Sequence, residues 1–243
     1  MHKDLLELEK KNYLNSIKDV DEKVLKKLEE EFEIKYAHEA VKIEGKNVIT
    51  LDEAYSLKEV SNKSNVSERE QKELLNHRKA YRFVVEAVEN KVIMNEEFIK
   101  DTHQLLLDDI MPGGLYRQVN VGLKGQHQPP DYVKVYDRMK KLIDELEFTF
   151  KGTTIEKSAY VALTISKIHP FIDGNGRVSR LMLNYYLMSD GYLPISVGEK
   201  DRDEYFLALD QFKLEKRMTK MVELIEKLLL ERYAEVNQKL NEI

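Results

Sequence analysis

Glycine and proline are scarce and unevenly placed, which limits the folds open to this chain. Of its ten glycines and five prolines, only Gly45 precedes Pro112, and all the others lie between Pro112 and Gly198. A β-sandwich or β-barrel needs turn residues about every 8–12 positions along its whole length. The chain before Pro112 can therefore run as helix with one permitted break, and we expect an all-α protein.

Composition excludes several classes of function. The 243 residues are enough for one large domain, or for one domain with a helical extension. Without cysteine there is no disulfide, thiolate metal site or cysteine nucleophile. The net charge of −5 does not predict nucleic-acid binding. No secretory signal and no apolar run of about 18 residues is visible, so we expect no membrane contact and a cytoplasmic location.

Capping signals and apolar spacing predict where helices begin. Thr50–Glu53 and Ser67–Glu70 each fit a capping box, which places helix starts at about 51 and 68. Apolar residues at three-to-four spacing indicate amphipathic helices elsewhere. Those segments are 4–36 with a join near 15–21, 95–108, 131–150, 155–168, the stretch from the 173–176 loop to 190, 201–212 and 215–240.

One short segment has a residue pattern unlike that of the predicted helices. Apolar residues alternate over 119–122, a polar tip follows at 124–128, and Pro129 and Pro130 end the stretch. Alternation of this kind beside turn residues is typical of a hairpin. We therefore expect a small β-hairpin or extended flap here.

The run from Ile168 to Arg180 concentrates groups suited to phosphate chemistry. Glycines at 174 and 176 allow backbone N–H groups to form an anion-binding nest at a helix N-terminus. Arg177 and Arg180 are three residues apart and so lie near each other on the first turns of that helix. Asp173 is a hard oxygen ligand suited to Mg²⁺, and His169 titrates near neutrality. This set predicts a phosphoryl-transfer site.

Other interpretations of the same loop are weaker. Asp-Gly and Asn-Gly pairs are common in hairpin turns, but the flanks here have helical periodicity. An EF-hand fails because Arg177 occupies a ligand position. The phosphate-loop and dinucleotide patterns fail too, since no Gly-Lys-Ser/Thr follows and Ser179 stands where the third glycine belongs.

The segment His169-Pro170-Phe171-Ile172-Asp173-Gly174-Asn175-Gly176-Arg177-Val178-Ser179-Arg180 resembles the signature of the Fic (filamentation induced by cAMP) family. The family pattern is His-Pro-Phe-x-x-Gly-Asn-Gly-Arg-x-x-Arg with an acidic residue before the first glycine, and every specified position is filled. The resemblance covers about residues 70–215. It implies an all-helical core with a small β-hairpin flap and the transfer of AMP from ATP to a hydroxyl side chain of a protein.

The resemblance also implies roles for the loop. His169 would take the proton from a Ser, Thr or Tyr hydroxyl of the target, and Asp173 would hold Mg²⁺ between the α- and β-phosphates of ATP. Arg177 would meet the β-phosphate and Arg180 the γ-phosphate. The phosphates would be cradled by Gly174, Asn175 and Gly176, with the Asn175 side chain helping.

The flap has an implied role in target docking. The target's main chain would pair with it by strand addition. The residues expected to take part are Val121, Gly122 and Lys124. A merely structural hairpin is the alternative, and Tyr205 and Gln211 are weaker candidates for a place near the nucleoside.

Glu44 gains a second interpretation from the same resemblance. Alone, Ile43-Glu44-Gly45 is typical of a helix C-terminus with glycine at the cap. Many Fic proteins carry an inhibitory helix with the motif Ser/Thr-x-x-x-Glu-Gly/Asn, whose glutamate pairs with the second signature arginine. Here Ala40 replaces the expected hydroxyl residue, and Lys46 follows Gly45. We expect Glu44 to pair with Arg180 and to block the γ-phosphate position.

The sequence thus predicts an autoinhibited protein adenylyltransferase that uses ATP and Mg²⁺, with self-modification and a homodimer as further possibilities. The predicted units are an N-terminal helical region with the Glu-Gly motif at 1–65, a catalytic core at 66–215 and a packing helix at 216–243. Two alternatives stay open. One is removal of AMP with Glu44 positioning water, and the other is a toxin–antitoxin type interaction module with a regulatory nucleotide pocket.

Overall fold

Capping boxes define the starts of three helices in the computed structural model, which describes residues 2–44, 47–61, 65–123 and 128–242. Thr50 and Ser67 each accept a hydrogen bond from the backbone three residues on, and the glutamate at that position bonds back, as the sequence predicts. Thr153 and Glu156 form a third box. Each box satisfies two backbone N–H groups that a helix start leaves unpaired.

The described residues form ten α-helices and no strand. Their bounds agree closely with the predicted segments, and short 3₁₀ or π turns extend some of them. The helices are α1 (His2–Ser16), α2 (Glu22–Lys42), α3 (Leu51–Ser56), α4 (Glu68–Glu89), α5 (Glu96–Leu107), α6 (Val135–Asp144), α7 (Thr154–Ile168), α8 (Asn175–Ser189), α9 (Arg202–Glu215) and α10 (Thr219–Asn241).

Helices α7 and α8 lie at the centre and pack against each other more extensively than any other described pair. One face of the pair contributes to an apolar cluster shared with α4, α5 and α6. The other contributes to a second cluster shared with α1, α9 and α10. The first cluster holds the loop from 169 to 174, because it contains Ile168 before the loop, Phe171 within it and Val178 after it.

The N-terminal region shares this core. Leu6 of α1 is buried in the second cluster, and Phe32 and Tyr36 of α2 are buried in the first. A small third cluster joins α2, α3 and α4. The predicted division into an N-terminal region (1–65), a catalytic core (66–215) and a packing helix (216–243) stays a prediction.

The expectation of a β-hairpin flap is wrong for the described residues. Residues 119–123 and 128–130 have no regular secondary structure. The Gln128 side chain bonds to the backbone of one residue, since its amide donates to the Leu123 carbonyl (3.2 Å) and accepts from the Leu123 N–H (3.4 Å). Pro129 and Pro130 have no N–H to give to a ladder. The predicted polar tip at 124–127, with Lys124, lies outside the described residues.

Among the residues that the structure describes, no helix combines the length and apolarity needed to span a bilayer.

A buried ion pair ties α2 to α4. Glu33 is buried on α2, and its two carboxylate oxygens accept from the Nε atoms of Arg78 and Arg82, each at 2.6 Å. The Arg78 side chain is largely buried, whereas Arg82 is about half exposed. A buried carboxylate needs such partners, because burial without them is costly.

We expect Glu33→Ala to lower the free energy of unfolding by about 3 kcal/mol, since it leaves the largely buried charge of Arg78 without its partner. The partial exposure of Arg82 keeps this at the low end of the range. Urea denaturation followed by circular dichroism measures the change. Glu231→Ala, which removes an exposed pair with Lys200, is the control and should change stability by less than about 0.5 kcal/mol. Equal losses in the two variants would contradict the role of Glu33.

Candidate functional site

The loop between α7 and α8 is closed by one side chain. Asn175 accepts a hydrogen bond from the Phe171 N–H and donates to the Phe171 carbonyl, both at 2.9 Å. Gly174, which precedes the helix, has a φ of +73°, a conformation that glycine adopts without strain. The Asn175 amide is therefore engaged by its own loop, and any help it gives to a ligand acts through the loop's shape.

His103 on α5 fixes the same loop, and the sequence reasoning assigned it no role. Its Nδ1 accepts from the Gly114 N–H (2.9 Å), so its Nε2 carries the proton and donates to the Asp173 carbonyl (3.0 Å). Its ring stacks on Phe171 with centroids 3.7 Å apart. Burial lowers the pKa of His103 to about 4, which keeps the ring neutral. Sequence spacing carries no signal for this contact, because α5 and the loop are about seventy residues apart.

His169 ends α7 in a left-handed conformation, with φ 52° and ψ 61°. Its N–H still donates to the Ile165 carbonyl at 2.8 Å, so the residue caps the helix while its ring leaves the helix axis. Pro170 disfavours helical geometry at this position. Burial, with the nearby charge of Lys213, lowers the pKa of His169 to about 4. At neutral pH the imidazole is neutral and able to accept a proton.

Arg177 is buried on the first turn of α8, with only 4% of its surface exposed. Its Nη2 lies 3.8 Å from Oδ1 of Asp173, and among the described residues its Nη1 has no hydrogen-bond partner. Arg69 on α4 reaches the other oxygen of Asp173 at 3.5 Å. Two cations therefore surround this carboxylate, and Arg69 is a second member of the site that the sequence reasoning missed.

Arg180 is buried deeper, with 3% exposed, and faces the C-terminal end of α2. Its Nη2 donates to the Ala40 carbonyl at 3.0 Å and lies 3.5 Å from Oε1 of Glu44. The Tyr205 ring lies 5.7 Å from its guanidinium carbon. At position 40, where the family motif has a hydroxyl residue, a backbone carbonyl provides the contact to Arg180.

Glu44 lies directly over Gly176. A Cβ added at Gly176 would come within 2.5 Å of Oε1 of Glu44 and 3.1 Å of Nη1 of Arg180. With any other residue at 176, the Glu44 carboxylate would have to shift from this position above the first turn of α8. Gly45 and Lys46, the rest of the predicted motif, lie outside the described residues.

A cavity of about 380 Å³ opens beside the loop. Its lining includes Glu44 after α2, Arg69 on the first turn of α4, and Asp173 and Arg177 around the start of α8. The cavity therefore joins the predicted metal ligand, the β-phosphate arginine and the predicted inhibitory carboxylate.

The remaining predicted residues in the described part of the chain are Val121, Gly122 and Gln211. Val121 is partly exposed and Gly122 is exposed, just before the 124–127 gap. Gln211 accepts a hydrogen bond from the Lys220 N–H and so serves the junction between α9 and α10. The structure brings His169, Asp173, Arg177, Arg180 and Glu44 together around Gly174, Asn175 and Gly176.

Comparison with known proteins identifies the fold and the domain. Residues 93–187 match the model of the Fic/DOC family. The protein adenylyltransferase Fic of Drosophila yakuba is 30% identical over 191 residues, which are 75% of this chain and 37% of that relative. The chain belongs to the Fic/DOC family. It spans less than half the length of this curated relative.

Solved structures agree with the family at the level of fold. A Fic domain containing signaling protein from Bacteroides thetaiotaomicron superposes with a TM-score of 0.85 at 20% identity, covering 96% of this chain and 94% of that one. A Fic family protein from Desulfovibrio desulfuricans G20 gives a TM-score of 0.79 at 25% identity, with 96% and 73% covered. The Fic fold therefore extends over nearly the whole chain, α1 and α10 included.

The neutral state of His103 makes the stability of this Fic protein dependent on pH. Its pKa of about 4 lies below the ordinary value of 6.5, so the unfolded chain binds the proton first as pH falls. The stability linked to His103 is complete above pH 6.5 and is lost as pH falls towards 4. Glutamine at position 103 keeps a donor and an acceptor but cannot titrate. We therefore expect the free energy of unfolding to fall by about 2 kcal/mol less in His103→Gln than in wild type between pH 7 and pH 4.5.

Urea denaturation of both proteins at the two pH values measures this difference. The comparison within each protein removes any cost that the substitution itself has at pH 7. The same pH-dependent loss in wild type and His103→Gln would show that His103 is not buried neutral.

Proposed function

We propose that this Fic protein is a protein adenylyltransferase that Glu44 holds in an inhibited state. The observation that carries the proposal is the placement of a neutral imidazole, His169, and two buried cations, Arg177 and Arg180, around one preorganised glycine loop. A general base and fixed positive charge are what phosphoryl transfer requires. Curated relatives named protein adenylyltransferase Fic support AMP from ATP as the transferred group.

The proposed reaction transfers AMP from ATP to a hydroxyl group of the target. A Ser, Thr or Tyr hydroxyl of the target forms the new bond to the α-phosphorus of ATP, and the bond from that phosphorus to the β-bridging oxygen breaks. Pyrophosphate leaves with the bridging electron pair. The hydroxyl proton goes to the free ring nitrogen of His169. Arg177 and Arg180 hold the β- and γ-phosphates and compensate their charge.

The residues present fit Mg²⁺. Asp173 offers a partly exposed carboxylate in the cavity, and its Oδ1 accepts from the Gly174 N–H at 2.8 Å. No group of three potential ligands occurs among the described residues. One carboxylate together with substrate phosphates is the usual way in which proteins bind Mg²⁺. When bound, the ion would neutralise charge on the phosphates, and Asp173 would hold it.

Inhibition follows from competition for Arg180. The carboxylate of Glu44 lies against the guanidinium that the γ-phosphate needs and over the glycine turn that would cradle the phosphates. An anionic triphosphate and an anionic carboxylate cannot share this space, since like charges at close range repel. ATP then lies out of line for attack by the target hydroxyl.

We expect Glu44→Gly to raise the rate of AMP transfer by about tenfold or more, a factor that corresponds to about 1.4 kcal/mol. Intact-mass measurement after incubation with ATP and Mg²⁺ counts self-attached AMP groups. Glu89→Gly makes the same change at the exposed end of α4, far from Arg180, and should match wild type.

Three outcomes separate the proposals. Equal labelling in Glu44→Gly and wild type contradicts the inhibitory role of Glu44. Loss of AMP removal from a labelled protein, without any gain of transfer, favours the hydrolase in which Glu44 positions water. No covalent AMP in any variant, with ATP still bound, favours a nucleotide-regulated interaction module.

His169→Ala in the Glu44→Gly background tests the base assignment. We expect transfer to fall by about 10²-fold or more, because general-base catalysis contributes factors of this order. Binding of ATP, measured by isothermal titration calorimetry, should change little, since His169 acts on the target hydroxyl. Retained turnover in this double variant would exclude His169 as the base.

The remaining expectations stay predictions of this proposal. The target would dock near Val121, Gly122 and Lys124, beside the site. Self-modification, a homodimer and a cytoplasmic location belong with them.

A further inference from the structure

Arg117 is a buried cation to which the proposed mechanism gives no role. It lies between α5 and α6 with 3% of its surface exposed. Its guanidinium donates to three backbone carbonyls, those of His169 (2.9 Å), Val119 (2.8 Å) and Pro130 (2.5 Å). Its own N–H donates to the Pro170 carbonyl at 2.8 Å. No acidic side chain forms an ion pair with it among the described residues.

These carbonyls belong to two parts of the site. Val119 and Pro130 lie on either side of the 124–127 gap, and His169 is the proposed base. Among the described residues from 119 to 130 no strand ladder satisfies the carbonyls, and the His169 carbonyl lies beyond the last turn of α7. Unpaired buried carbonyls are costly, so the guanidinium supplies the partners that regular structure does not.

Arginine suits this position for a geometric reason. A guanidinium presents five N–H groups in a rigid planar fork, so one side chain can reach carbonyls that lie in different directions. Lysine has the same charge on a single nitrogen and cannot reproduce that fork. The left-handed backbone of His169 adds to the need, since a non-glycine residue in this region costs energy and persists only when its surroundings hold it.

We propose that Arg117 is a positioning residue, which holds the backbone of His169, Val119 and Pro130 in one fixed arrangement. A target docked near Val121 and Gly122 would then present its hydroxyl to His169 at the correct distance. This last step rests on the proposed adenylyltransferase function, whereas the positioning of His169 does not.

The substitution Arg117→Lys keeps the charge and removes the fork. Arg232→Lys is the matched control, because Arg232 is also largely buried, at 9% exposed, but lies on α10 over the Phe32 ring. Both changes should cost stability, and thermal unfolding measures that cost. Only Arg117→Lys should affect His169.

The decisive measurement is the pH titration of the His169 ring by NMR, without nucleotide. The charged groups near this ring are Lys213, Arg117 itself and Glu44. Because lysine keeps the charge at 117, a change in the pKa reports the loss of backbone position and burial. We expect the pKa to rise from about 4 towards 6.5 in Arg117→Lys and to stay unchanged in Arg232→Lys. An unchanged value in Arg117→Lys overturns the proposal.

A kinetic measurement tests the link to catalysis. In the Glu44→Gly background, Arg117→Lys should lower the kcat of self-labelling by about 10²-fold, as expected when a reacting group is misplaced, while the KM for ATP stays within about twofold. A parallel loss in Arg232→Lys would point to general destabilisation and contradict a positioning role. If Glu44→Gly proves inactive, the proposed function fails, and the His169 titration still decides what Arg117 does.

Wild-type protein provides a test that survives misfolding of the variant. The Nε–H of the buried Arg117 donates to the His169 carbonyl and should exchange slowly with solvent in nitrogen-resolved NMR spectra. The Nε–H of Arg217, which is largely exposed, should exchange fast. Fast exchange at Arg117 would show that the bond to His169 does not persist in solution.

Discussion

The burial of Arg180 is the constraint on which the rest of this site depends. A guanidinium with 3% of its surface exposed cannot be left without compensation, because an unpaired buried charge costs several kcal/mol. The end of α2 supplies it, through the Ala40 carbonyl and the Glu44 carboxylate. The C-terminal end of a helix carries negative partial charge, which adds to the same effect. Under the proposed function, α2 and the phosphates of ATP are alternative partners of one cation.

The helices were predictable because their signals are local. Capping boxes at Thr50 and Ser67 and the apolar spacing of the later segments report hydrogen bonds and burial within a few residues of each other. The hairpin prediction failed for the opposite reason. Alternation over 119–122 describes the exposure of the segment but not its partner, and in the structure the next residue, Leu123, bonds to the side chain of Gln128 instead of a strand.

The candidate site was predictable only where its residues are close together in sequence. The twelve residues from His169 to Arg180 lie in one stretch, so their chemistry is visible without a fold. His103, Arg117 and Glu33 come from distant elements, and each looks ordinary in sequence. Charged residues on amphipathic helices are usually exposed, and nothing local distinguishes the buried Glu33 from its exposed neighbours on α2.

Preorganisation of the loop does not require a ligand. Asn175 closes it, His103 fixes the Asp173 carbonyl, and Arg117 fixes the His169 carbonyl. Each contact satisfies a backbone group that the turn leaves unpaired, and so each stabilises the loop in the shape that an anion would need. Charge stabilisation is most effective when the groups that provide it do not have to reorganise.

Under the proposed function, the contact between Glu44 and Arg180 does not act alone. At 3.5 Å, with 29% of the Glu44 side chain exposed, solvent partly screens this ion pair. A triphosphate brings several charges to the same cation and would displace it. What keeps the carboxylate in place is the docking of α2, through the Glu33 pairs and the bond from Arg202 to the Ile43 carbonyl. Under the proposed function, release of inhibition therefore requires either removal of the carboxylate or movement of the end of α2.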